Sequence, residues 1–127
     1  MKAMTREWVD KAEADYAAAL LLRSSRKKHS RDIVCFHLQQ RVEKYLKARL
    51  DEENISFPKT HDLERLLDLA GAVQPEWASL RPSMEALTDY AVEARYPGRS
   101  ASSADARTFL RAAARIRGLI RRQLGLP

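Results

Sequence analysis

An all-α fold, an up-and-down antiparallel bundle of four to five helices in a single domain over residues 1–127, follows from three features of this sequence. Apolar residues recur at three- and four-residue steps along most of the chain, the pattern of helices that bury one face. Turn formers are scarce: four glycines and five prolines are too few for an all-β chain. Hydrophobic residues make up 45%, too many for disorder, and the length suits one core.

The first helix is expected from about Thr5, as N-cap, to about Arg23, with Trp8, Val9, Ala12, Tyr16, Ala19 and Leu20 as its apolar stripe. The run "RSSRKKHSR" breaks that period and reads as a solvated basic turn. A second helix runs from about Ser30 to about Glu53, presenting Ile33, Val34, Leu38, Val42, Tyr45, Leu46 and Leu50. Pro58 forbids its continuation, and Thr60 can cap a short helix carrying Leu63, Leu66, Leu67 and Ala70 that stops at Gly71. A fourth helical region spans about Pro75 to Ala94, with a kink or restart at Pro82 and with Leu80, Met84, Leu87, Tyr90 and Ala91 inward. "RYPGRSASS" is a loop, and Ser102 with Asp105 forms a capping-box-like entry to the last helix. There Phe109, Ala113, Ile116, Leu119, Ile120 and Leu124 fall on one side, and Arg107, Arg111, Arg115 and Arg122 on the other.

The net charge of +6 is unevenly spread. Residues 1–98 carry 16 Lys and Arg against 16 Asp and Glu, whereas residues 99–127 carry seven Arg against Asp105 alone. That basic stripe suits phosphate backbones, acidic proteins or anionic lipid, and its sign does not choose among them. One cysteine, Cys35, permits no internal disulfide, and no run approaches the roughly 18–20 apolar residues that span a bilayer. A cytoplasmic protein without a membrane partner is expected. His29, His37 and His61 show no spacing for a shared metal ion, so neither metal nor cofactor is expected.

In "CFHLQQRVEKYLKARL", residues His37, Gln40, Arg41 and Lys44 fall within about 100° of helical arc. Such a polar stripe is either the solvated side of a half-exposed helix or a set of donors able to hold phosphate or base edges. His61, at a helix start, can bond backbone or Asp62, or reach a ligand. "EARYPG" sets Arg95 and Tyr96 beside a rigid turn, where they can stack on a base and hold a phosphate, or satisfy helix carbonyls and pack on the bundle. Asp15, at the border of the first helix, can pair with Lys44 or Arg95 and so order a site without performing chemistry.

The blocks "CFHLQQRVEKYLKARL", "FPKTHDLERLLDL" and "LTDYAVEARYPG", in this order and at these separations, resemble the HEPN domain family, small helical nucleotide-binding domains of prokaryotes and higher eukaryotes. The likeness covers nearly the whole chain. It implies a bundle of four to five helices, frequently a homodimer, often encoded beside a small nucleotidyltransferase in toxin–antitoxin-like pairs. Many members are metal-independent ribonucleases that use an Arg followed four to six residues later by His. Here Arg95 stands in the matching region and no His follows it. Arg23 with His29, and Arg31 with His37, have the permitted spacing away from the family position, and six helical steps would turn Arg31 and His37 about 120° apart.

The reading is therefore a nucleotide- or RNA-binding module that acts with a nucleotidyltransferase partner. His37, Gln40, Arg41 and Lys44 would line a groove near His61, Arg95 and Tyr96, and no residue is assigned to catalysis. A ribonuclease toxin with another Arg and His arrangement, and a protein-interaction module without ligand, are the alternatives.

Overall fold

The computed structural model describes every residue except 26, 28, 29, 94–96, 99 and 100, and describes 90–93 by backbone alone. Among the described residues the chain forms α1 (Ala3–Arg23), α2 (Ser30–Glu52), α3 (Leu63–Ala70), a 3-10 turn (Pro75–Leu80), α4 (Arg81–Glu93) and α5 (Ser103–Gln123). The all-α bundle expected from periodicity is the fold observed.

α2 is the axis, packed against α1, α3, α4 and α5. It runs antiparallel to α1, since Thr5 Oγ1 donates to Asp51 at 2.8 Å while Asp15 meets His37 at the other end. It runs parallel to α5, as the second and fourth long helices of an up-down-up-down order must: Ala101 N donates to Asp32 at 2.5 Å, and Arg121 reaches Tyr45 at 3.1 Å. Leu38, Tyr45, Leu46 and Leu50 of α2, Leu63 and Leu66 of α3, Met84 and Leu87 of α4, and Ile116 and Ile120 of α5 form the fully buried centre. Burying each such side chain contributes roughly 1.5–3 kcal/mol.

Several local expectations change in the structure. α1 starts two residues before Thr5, with Lys2 at the N-cap, because the Thr5 hydroxyl is taken by Asp51. Asp62, not Thr60, caps α3, its carboxylate accepting from the Glu64 and Arg65 amides. The restart expected in the fourth region is present: a 3-10 turn gives way to α4 at Arg81, and Pro82 falls in its first turn, where a missing N–H costs no helical bond. Leu20 and Ile33 are exposed rather than core. Tyr90 and Ala91 have no described side chains, and Ala94 lies outside the described residues.

The entry to α5 behaves as read. The Ser102–Asp105 capping box is present in both directions, at 3.0 and 3.1 Å. α2 ends on Asn54 at φ 59°, with Ile55 N bonding Leu50 O at 2.9 Å, a Schellman closure that Asn tolerates better than most residues.

Candidate functional site

The polar stripe of α2 faces α1. His37 Nδ1 lies 2.8 Å from Asp15 Oδ1, and Lys44 Nζ donates to Asp15 Oδ2 at 2.5 Å. Asp15 is 9% exposed, so two donors on α2 clasp a nearly buried carboxylate and close the seam. Gln40 donates to Gln39 at 2.8 Å and to Glu43 at 3.2 Å, and Glu43 also meets Lys47 at 2.7 Å and His61 at 2.9 Å. The His61 side chain stays largely exposed.

Arg41 corrects the groove expected from spacing. It is 1% exposed, its guanidinium lies 3.7 Å over the Tyr16 ring, and its Nε and Nη1 have no hydrogen-bond partner among the described residues. Helical phase placed it beside His37 and Lys44, but α1 and α5 flank α2 and cover that position. Arg41 thus buttresses Tyr16 instead of lining a groove with its neighbours.

Beside it sits a cluster that periodicity does not reveal. Glu13 accepts from Arg117 Nε at 2.8 Å and from the Tyr45 hydroxyl, with Arg121 at 3.6 Å and Arg41 at 4.0 Å. Partial burial pushes the Glu13 carboxyl up, but hydrogen bonds from Arg117 and Tyr45 outweigh it and hold the pKa below the ordinary value. Burial, together with the bond to Glu13, pushes the Tyr45 phenol up. A carboxyl lowered by folding stabilises the fold above its unfolded pKa, about 4.3. That contribution is lost as pH falls through the lower folded value. At pH 6 Glu13→Gln is expected to lose about 1–2 kcal/mol by urea denaturation, with the gap to wild type narrowing as pH falls below 4. A gap constant across that range would contradict the assignment.

A basic concavity lies where the C-terminal end of α1 meets the starts of α2 and α5. Two adjoining cavities, about 210 and 420 Å³, share Arg23, Arg107 and Leu110. Lys27 and Arg31 line the first, and Tyr16 and Arg111 the second. None of these five cations has a carboxylate partner among the described residues, whereas Lys44, Lys47, Arg49, Arg81, Arg117 and Arg121 each have one. The nearby acids are engaged: Asp32 holds the Ala101 amide and Asp105 the Ser102 amide. Arg107, Arg111, Arg115 and Arg122 are exposed on α5 as the spacing required.

A family model for the HEPN domain matches residues 5–123. The chain belongs to the HEPN domain family. No curated protein and no solved structure gives a significant match. Membership makes this a helical module of the nucleotide- and RNA-related kind.

Within the HEPN frame, Arg95 and Tyr96 lie outside the described residues, as does His29. Arg31 lines the basic cleft, while His37 is committed to Asp15 in the α1–α2 seam. Cys35 is buried, and burial followed by the charges of Asp32 and Asp105 pushes its thiol up to about 12, the opposite of an activated nucleophile. Among the described residues no group of three His, Cys, Asp or Glu could hold a metal ion, and no helix is long and apolar enough to cross a membrane.

Arg23 and Arg31 were visible in the sequence only as half of coincidental Arg and His spacings, and Lys27 only as part of a basic turn. The signal that could have singled them out is the lack of interleaved acids across "RSSRKKHSR".

Proposed function

We propose that this HEPN chain binds the phosphates of a nucleotide or RNA in the cleft between α1, α2 and α5. In this reading it acts in the cytoplasm as a homodimer beside a nucleotidyltransferase, in a toxin–antitoxin-like pair, as the family resemblance implies. The observation that carries it is the five cations without a carboxylate partner among the described residues, Arg23, Lys27, Arg31, Arg107 and Arg111, around adjoining cavities. Like charges gathered without acids repel one another, and a polyanion relieves that cost. His37, Gln40, Lys44 and His61 serve this site from behind, by fixing α1 and the α3 entry on α2 with Asp15 and Glu43. The reading assigns no catalytic residue.

Titration of a short single-stranded RNA at several salt concentrations tests it. Wild type is expected to bind saturably, with log affinity falling by about 0.7 per phosphate contact for each decade of salt. Arg107→Ala/Arg111→Ala, both exposed, should bind more weakly and flatten that slope by about 1.4. Unchanged binding in a folded double variant would remove the cleft from the reading. Absence of RNA binding by wild type would leave the protein-interaction module.

A further inference from the structure

We propose that the two cavities act as one subsite for a nucleotide bearing a terminal phosphomonoester, with the phosphate in the smaller cavity and the base in the larger. This rests on the nucleotide or RNA reading above and narrows it to a ligand class. The smaller cavity, about 210 Å³, is lined by Arg23, Lys27, Arg31 and Arg107, a formal charge of four with no carboxylate among the described residues of its walls. Ser30 and Ser103, the first residues of α2 and α5, also line it beside the last turn of α1, so two positive helix ends and one negative end meet there. A terminal phosphomonoester carries about −1.5 to −2 at neutral pH and three strong acceptor oxygens. An internal phosphodiester carries one charge and must continue in two directions, whereas three helix ends converge around this cavity.

The larger cavity is also basic, with Arg23, Arg107 and Arg111 among its lining, and differs from the smaller one by its aromatic ring. Tyr16, Leu110 and Ala114 give it an aromatic and apolar wall beside those arginines. Its volume, about 420 Å³, lies within the range of small-ligand pockets. One face of the Tyr16 ring is held by the buried Arg41 guanidinium at 3.7 Å, so the ring is set in place before any base arrives. This gives the buried arginine a purpose that its incomplete hydrogen bonding does not supply. Because Arg23, Arg107 and Leu110 line both spaces, one ligand can reach from the phosphate end to the ring.

The test compares 5′-phosphorylated and 5′-hydroxyl forms of one short single-stranded RNA by fluorescence titration, with AMP and adenosine as competitors. The phosphorylated strand is expected to bind at least tenfold more tightly. Arg31→Ala should erase most of that preference, and Arg31→Lys should retain part of it. Tyr16→Ala should weaken both strands while Tyr16→Phe does not, each variant being checked for helicity and thermal unfolding. Competition by AMP but not adenosine would identify free nucleotide as a ligand, and preference for the phosphorylated strand without competition by AMP would identify an RNA end. Equal affinity for the two strands would overturn the terminal-phosphate subsite and leave RNA binding standing. Failure of both strands to bind would overturn the broader reading as well.

Discussion

Glu43→Ala is expected to destabilise the protein by about 3–5 kcal/mol, the range for breaking a buried ion pair by removing one partner. Glu43 is 2% exposed and lies at the centre of α2, meeting Lys47 on one oxygen and His61 and Gln40 on the other. Its loss strands the Lys47 ammonium, itself buried and lying 5.4 Å from the Trp8 ring and 5.9 Å from the Phe57 ring. Those rings offset part of the cost, since a desolvated cation over an aromatic face is held by about 2 kcal/mol. His61 is largely exposed and finds water instead. Glu43→Leu/Lys47→Met, which removes both charges and keeps volume, should recover most of the stability. Urea unfolding of the two variants decides the matter: a single variant within 1 kcal/mol of wild type would mean that the pair is solvated.

Cys35 is expected to be alkylated on the order of a thousandfold more slowly in the native protein than in the unfolded chain at pH 8. With the thiol pushed up to about 12, only about one molecule in ten thousand carries the reactive thiolate, against roughly one in four for an ordinary thiol near 8.5. The sign follows from the direction of the shift, because a raised thiol pKa leaves the unreactive form dominant until strongly alkaline pH. Cys35 is also 1% exposed, so restricted access slows labelling beyond what the thiolate fraction alone gives. Native labelling as fast as in denaturant would place the thiol at the surface.

Much of the architecture is legible in the residues themselves. The three- and four-residue period locates α1, α2 and α5, Pro58 and Gly71 set breaks around α3, and Ser102 with Asp105 marks the last start. The HEPN likeness, carried by three blocks in order, agrees with the family match over residues 5–123. The exposed Arg face of α5 was equally visible, because a helix with one buried face must turn the other outward.

The site was less legible, for a reason that α2 makes plain. Phase around its axis puts His37, Gln40, Arg41 and Lys44 on one side, yet it does not say whether that side meets water. With four helices around it, α2 buries Gln39, Arg41, Glu43, Lys47 and Arg49. Glu13 and Arg117 form an ion pair across 104 positions, and no periodicity links them. Arg23, Arg31 and Arg107 become a cluster only when three helix ends converge.

Helix period and caps are decided by interactions within a few residues, so the helices, their order and the charge of the last one could be read from the residues alone. Which cations stay unneutralised depends on distances between segments far apart along the chain. Packing settles that, by turning the α2 stripe onto the carboxylates of α1 and leaving the cleft arginines without any among the described residues.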